Sequence, residues 1–418
     1  MDSCCILLKI KLWVRSSIGM MNQVVIVGAG PAGATLALLL VRRGVAVKLI
    51  EASRNFRRVF RGEGLMPSGV DALAQMGLLP ILERIPHRSL SSWEFIINNR
   101  SLFQVAEPIE VGGKSTTLVS QPAFLEALIE EASTYPHFEF VHGTVQDLLW
   151  SDGRVSGVKL GDDRVYHADL VIGADGRNSI VRQRANLEIE QQSQSFNILW
   201  FKMADSPHFQ LENVFYSIVN GRHAFGLFQG SEGNLQMGWA LHADDPVDWK
   251  QVDWPEMFAS VSPPWFAEHV RANAATIERP VLLSVVVGRC PRWSVPGLLL
   301  LGDAAHPMSP IRAQGINMAL RDVIVTANHL VPLLRAEAEH VNIDRALVQI
   351  QAEREPEIKK SQHLQAEEAS QAQLLRKNPM LQWAVSNFAP LIRSSVRSSW
   401  IKRQSQLRQG VTQVELTV

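Results

Sequence analysis

Cysteine is scarce here, with adjacent Cys4 and Cys5 at the front, Cys290 far away and no others in 418 residues. That scarcity excludes a disulfide framework, no CxxC or His/Cys spacing offers a metal site, and a reducing cytoplasm suits the usage. Excess charge of either sign is missing as well: 41 lysines and arginines balance 41 acidic residues. A neutral chain makes no electrostatic case for nucleic acid. Long apolar runs are also lacking. The front segment MDSCCILLKIKLWVRSSIGM is broken by Lys9 and Lys11, is too short to cross a bilayer, and has its lysines on the wrong side for a secretory signal. There is no internal repeat and no low-complexity tract, and the glycine-rich turn near the front is not followed by GK[ST], which excludes a P-loop.

What is present is a 46% hydrophobic chain, enough to bury a large core in two linked domains, and three glycine-containing stretches set far apart. The first is VVIVGAGPAGATLALLL. Val24 to Val27 form a β-branched run that predicts a fully buried parallel strand, and Gly28, Gly30 and Gly33, with Ala32 in the same turn, fill GxGxxG as the chain enters a helix. The first glycine permits the turn, the second lets backbone approach a diphosphate, and the third allows close packing of helix on strand. The helix N-terminus adds free N–H groups and positive partial charge. A second strand, Val45 to Ile50, ends at Glu51, about where a carboxylate takes ribose hydroxyls. Strands of this kind sit near a chain start, so the fold is expected to begin at Met20 or Met21, with residues 1–20 an extension outside it.

The second stretch is DLVIGADGRNSIVR and the third LLLLGDAAHPMSPIRAQGINMAL. In the third, Leu298 to Leu301 predict a buried strand that delivers Asp303 to its carboxyl end, where open α/β sheets bind ligands. Taken in order, the three resemble the single-component FAD-dependent monooxygenases of the para-hydroxybenzoate hydroxylase type. Asp175 and Gly176 match the centre of that family's middle motif. Gly302 to Pro307 match its late motif, followed by Pro310, Gln314, Gly315 and Asn317. Arg61, in RGEGLMPSG, and Gln121, in SQPAFLEAL, fall where the family keeps flavin-contacting side chains. The resemblance runs from Met21 to about Arg354.

It implies an α/β fold in which a Rossmann-like FAD-binding domain is interleaved with an antiparallel-sheet substrate domain and followed by C-terminal helices. The implied boundaries are 21–86, 114–187 and 281–352 for the discontinuous FAD-binding domain, 87–113 and 188–280 for the substrate domain, and 353–418 for the helical region. It implies non-covalent FAD held by Gly28, Gly30, Ala32, Gly33, Glu51, Arg61, Gln121, Asp175, Gly176, Asp303, Gly315, Ile316 and Asn317. It further implies that NADPH or NADH reduces the flavin, that O2 adds at its C4a atom, and that the hydroperoxide passes one oxygen to a small organic substrate. Arg61 and Pro310 are the candidate contributors to catalysis, and no proton-transfer catalyst is assigned. Asp303 suits ribityl hydroxyls, and the helix expected from Gly315 suits the anionic reduced ring. One departure is Ala313, where the family has glycine. With no second GxGxxG, the choice between the two nicotinamides stays open.

Between Phe196 and Phe266 lie 14 of the chain's 30 aromatic residues, so this stretch needs either a large aromatic core or a cavity wall. Leu235, Met237, Trp239 and Leu241 alternate, as do Phe225 and Leu227, which predicts an antiparallel sheet with one apolar face. Trp200, Phe228, Met237 and Trp239 are the expected substrate-pocket residues. Between Ala369 and Val414 there are seven lysines and arginines and no acidic residue, interleaved with Trp383, Phe388 and Trp400. This reads as a helical cap over the catalytic domains, or as a basic surface in peripheral contact with a membrane. Competing functions are an FAD-dependent reductase of a prenyl or polyene substrate, a halogenase, for which WxWxIP is missing, and an FAD-binding protein without turnover.

Overall fold

The computed structural model describes residues 23–56, 63–192, 196–245 and 248–418. Arg61 and the expected 1–20 extension lie outside these residues. Continuous apolar runs make strands that must be covered on both faces. Such runs build the first sheet, six strands in the order Ser294–Val295, Leu298–Leu300, Leu170–Gly173, Gln23–Val27, Ala46–Glu51, Phe138–His142. Gln23–Val27 runs parallel to both its neighbours, and Val24, Val25 and Ile26 are completely buried. The front helix, Pro31–Val41, is buried from Ala32 to Val41 and packs against a second buried helix, Gln314–Arg335.

The second sheet has seven strands in the order Val281–Leu283, Phe196–Met203, Leu235–His242, His223–Gln229, Val214–Asn220, Ser92–Ile97, Arg100–Ala106. All pair antiparallel except Val214–Asn220 with Ser92–Ile97. Its outer face carries Leu199, Phe201, Leu227, Met237 and Trp239, which pack with Phe258 and Phe266 of the helices Trp254–Val261 and Pro264–Ala272. Two glycines leave room for rings on the inner face: a Cβ on Gly238 would sit 2.8 Å from Trp200 Cζ3, and one on Gly226 3.0 Å from Phe215 Cζ.

Three helices follow, His340–Lys377, Pro379–Asn387 and Ala389–Gln409, and none among the described residues is long and apolar enough to cross a membrane. Two of the tail's seven basic residues, Arg376 and Arg408, are turned inward, and an exposed third, Arg393, is held against a strand. Arg408 is buried and bonds Glu107 at 2.6 and 2.7 Å and Glu110 at 3.0 Å. Arg376 is buried against Asp244 and Asp245, and Arg393 donates to the Leu102 carbonyl at 2.9 Å. Trp400 lies among Trp93, Phe95 and Phe103. Sequence composition alone could not separate inward from outward arginines, because their partners are hundreds of residues away.

Removing one member of a buried ion pair leaves the other charge desolvated and uncompensated, at about 3–5 kcal/mol. Arg408→Ala is therefore expected to lower unfolding free energy by about that much, measured by urea titration. Adding Glu107→Gln to the same chain should recover more than half of the loss.

Candidate active site

The front turn is shaped by two glycines that admit no side chain. A Cβ on Gly28, whose φ is +99°, would lie 2.4 Å from the Ala174 carbonyl oxygen, and one on Gly33 would lie 2.0 Å from the Gly28 oxygen. The front helix and the 174–176 turn therefore both press directly on the backbone at 28. Gly30 differs: a Cβ there would meet nothing within 4 Å. It forms the N-terminal boundary of the front helix without any side-chain cap, so no capping side chain competes for the first-turn N–H groups.

Glu51, at the carboxyl end of its strand, is fixed beside this turn. Its Oε2 accepts from the Ala29 N–H at 2.8 Å and its Oε1 from the Ser53 N–H at 2.7 Å. A carboxylate oxygen accepts more than one donor, so ribose hydroxyls suit the same group. Asp303 follows the Leu298–Leu300 strand and is exposed toward the cavity. The turn that presents it rests on a buried charge network. Asp322 Oδ2 accepts from His306 Nε2 at 2.7 Å and from the Gly302 N–H at 3.3 Å, while Oδ1 accepts from Arg354 Nε at 2.8 Å. Burial pushes the Asp322 carboxyl up, but His306 and Arg354 outweigh it and hold it below the usual range. Glu357 continues the network. Burial raises it too, yet Arg354 and Arg321 bring it down to about 2.

Asp175 is pushed up by burial, opposed by bonds from the Ser179 hydroxyl at 2.5 Å and the Ile180 and Val181 N–H groups at 2.7 and 3.1 Å. Its carboxylate thus starts the short Ile180–Arg184 helix while lining the cavity.

One continuous cavity of about 1600 Å³ brings together Gly28, Gly30, Ala32, Glu51, Gln121, Asp175, Gly176, Asp303, Pro310, Gly315 and Ile316, and extends to Trp200 and Phe228 on the inner face of the second sheet. Gly33 lies beneath it as a packing contact. Three expected contacts sit elsewhere. Asn317 is fully buried and spends its amide on support: Oδ1 accepts from the Met66 N–H at 2.8 Å, and Nδ2 donates to the Gly64 and Ala313 carbonyls at 3.1 and 2.6 Å. Met237 and Trp239 face the outer helices. In a strand, alternate residues share a face, and both share theirs with Leu235 in the outer core, so Gly238, paired with Trp200, is the residue that faces the cavity. The alternation was legible, but which half of it faced the cavity was not.

Two side chains in the cavity wall, Glu63 and Arg312, were given no role from the sequence. Arg312 and Ala313 both adopt left-handed backbone, with φ of +58° and +49°. For a residue with a Cβ this costs on the order of 1 kcal/mol relative to glycine. The turn is over-determined by its neighbours: Gln314 donates to the Arg312 and Leu407 carbonyls at 2.9 and 2.7 Å, and the Arg312 guanidinium lies 5.0–5.8 Å from the rings of Trp93, Phe95 and Trp400. It also pairs with Glu368.

A family profile described as an FAD binding domain matches residues 21–360. The chain is 33% identical over 360 residues to 6-methylpretetramide 4-monooxygenase of Streptomyces rimosus, covering 83% of each protein. It is 26% identical over 314 residues to squalene monooxygenase of Rattus norvegicus, matching 72% of this chain and only 53% of that longer protein. Among solved structures, a variant of PqsL from P. aeruginosa superposes with a TM-score of 0.73 at 23% identity, covering 83% of this chain and 96% of that one. p-Nitrophenol 4-monooxygenase PnpA from Pseudomonas putida DLL-E4 gives 0.72 at 18% identity, covering 92% and 99%.

The two open-and-closed glycines make a discriminating pair of variants. Gly30→Val places its side chain in the cavity and is expected to lower bound FAD at least tenfold, read from flavin absorbance, with little change in the melting temperature of the flavin-free protein. Gly33→Val, forced against backbone, is expected to fail to fold, which circular dichroism would report.

Proposed function

We propose, on the premise that this chain belongs to the FAD binding domain family and is an FAD-dependent monooxygenase, that its substrate is a large, hydrophobic, polycyclic aromatic molecule, oxygenated in the cytoplasm with electrons from NAD(P)H. The observation that carries this reading is the single cavity joining the dinucleotide cradle to an aromatic wall. At about 1600 Å³ it exceeds the roughly 300–1000 Å³ of an ordinary small-molecule site. There is room for FAD and for a second sizeable organic molecule. Phe215 and Phe228 stack with centroids 5.3 Å apart and Trp200 meets Phe228 edge-on at 6.0 Å, a surface suited to flat rings. The relative at 33% identity is named for oxygenating 6-methylpretetramide.

The cradle fits FAD. Gly30 would leave space for the diphosphate, the front helix would offer it N–H groups, and Glu51 and Asp303 would take sugar and ribityl hydroxyls. Gly315 and Ile316, at the start of the Gln314–Arg335 helix, would set positive partial charge beside the ring. Bound there, the flavin supplies two-electron chemistry and oxygen activation. The protein's share is to orient both partners and keep water from the reacting atoms with its apolar inner face. In the net reaction NAD(P)H gives two electrons, one atom of O2 enters the substrate, and the other leaves as water with the protons of NAD(P)H and solvent.

The purified protein is expected to be yellow and to consume NADPH or NADH faster when a suitable polycyclic phenol is added, with matching O2 uptake. Labelled oxygen should appear in the product. A product that gains hydrogen and no oxygen would instead mark a reductase, and flavin binding without stimulated turnover a carrier.

A peripheral surface also belongs to this reading. Leu374, Met380, Trp383 and Leu391 on the tail helices and Phe388 between two of them are exposed, as are Lys377 and Arg397. Sedimentation with anionic phosphatidylserine vesicles, weakened severalfold by Trp383→Ser with Leu391→Ser, is the expected result.

A further inference from the structure

We infer that Glu63 is a catalytic base of this site, taking the proton from a phenolic hydroxyl of the substrate. This rests on the monooxygenase reading and goes beyond it, because neither the cofactor cradle nor the aromatic wall needs a carboxylate here. Glu63 precedes the Gly64–Leu65 strand, is only 9% exposed, and lines the cavity with Trp200, Lys202, Phe228 and Glu232. A Cβ on Gly64 would lie 3.0 Å from that of Ala313. Glu63 therefore sits between the turn that leads into the Gln314–Arg335 helix and the aromatic wall, where a substrate must lie to meet both.

Its two oxygens are treated unequally. Oε2 accepts from the Ser231 N–H at 3.0 Å and the Ser231 hydroxyl at 3.1 Å. Among the described residues, Oε1 has only the Gln236 amide at 3.5 Å, beyond good hydrogen-bond distance. Gln236 itself is oriented, since its carbonyl accepts from Trp200 Nε1 at 2.6 Å. A buried carboxylate oxygen so poorly served favours a donor arriving from the cavity. The anchored oxygen fixes the direction in which the other one accepts.

The groups acting on Glu63 oppose one another, and the net direction is upward. Burial is the largest influence and raises its pKa. The Ser231 bonds and the Lys202 ammonium, from the Phe196–Met203 strand, pull it down, and Glu232 pushes it up. Glu232 is itself engaged by the Ser120 hydroxyl at 2.8 Å. A carboxylate whose pKa is raised is a better base than an ordinary one. In the step assigned to it, the phenol O–H bond breaks and its proton joins Oε1. The electron-rich ring then takes the oxygen atom. The hydrogen on the oxygenated carbon moves as a proton to the ring oxygen as aromaticity returns, and Glu63 gives up its proton toward the water formed from the second oxygen atom.

The test uses the FAD-loaded enzyme, with alizarin, a tricyclic phenol, and its dimethyl ether as probes. Quenching of protein fluorescence should show alizarin binding at least tenfold more tightly than the ether. That preference should weaken as pH falls through the raised pKa of Glu63, because only the ionised carboxylate is a strong acceptor, and Glu63→Gln should abolish both the preference and its pH dependence. In turnover, Glu63→Gln should retain flavin and NAD(P)H oxidation while hydroxylated product drops at least tenfold, recovering as pH rises through the phenol's own ionisation. If the glutamine variant does not fold, Glu63→Asp, which keeps the charge with a shorter reach, should give intermediate values. A yellow enzyme that oxidises NAD(P)H but fails to bind alizarin, or in which Glu63→Gln keeps both preference and coupling, would overturn the assignment alone. A colourless protein would remove the monooxygenase reading and this assignment together.

Discussion

Backbone pressed against backbone at Gly28 is the contact on which the site depends. With no Cβ at that position, the turn after the Gln23–Val27 strand accepts the Ala174 carbonyl on one side, and with none at Gly33 the front helix closes down on the other. Residues some 150 positions apart thereby share one wall. Put any side chain at either position and the helix N-terminus, the 174–176 turn and the end of the Leu298–Leu300 strand no longer face the same space. Gly30 is free of such crowding, since a Cβ there would meet nothing within 4 Å, and it lines the cavity.

The late turn is held by charge in place of backbone contact. Asp322 ties Gly302 and His306 to Arg354, and Glu357 carries the network on to Arg321 and to the Val411 N–H at 2.8 Å. Each buried charge has its opposite within hydrogen-bond reach, the condition under which such a cluster is tolerable in a low-dielectric interior. The same network fastens the last residues of the chain to the back of the helix that begins at the cavity. The tail is thus part of the cofactor-side architecture, not an appendage to it.

At the other end of the cavity the tail helices also form wall. Glu368, Ala369, Ala372, Gln373 and Arg376 line the same space, and Arg408 and Trp400 fasten the final helix to strands Ser92–Ile97 and Arg100–Ala106 and to the segment after them. Arg312 joins these parts, meeting Trp400 from the tail, Trp93 and Phe95 from the sheet and Glu368 from the long helix. Such a convergence explains how two successive left-handed residues with side chains persist where glycine would be easier.

Local chemistry was enough to read the cofactor end of this protein from sequence. A buried strand, a GxGxxG turn, a carboxylate at the end of the next strand and another after Leu298 to Leu301 are short-range patterns whose physical meaning travels with them. The substrate end was only half legible. A period of two announced a sheet with an apolar face, but which face met the helices and which met the cavity followed from packing against Trp254–Val261 and Pro264–Ala272, so Trp200 and Phe228 line the cavity while Met237 and Trp239 pack in the outer core. Asn317, a contact by motif, became a brace because Met66 and Gly64 arrive beside it from 250 residues earlier. Glu63, Arg312 and Arg408 owe their surroundings to partners of the same kind. Pattern along the chain determined the cradle; only the meeting of remote segments decided the direction of each side chain, because burial and hydrogen bonding are settled in space.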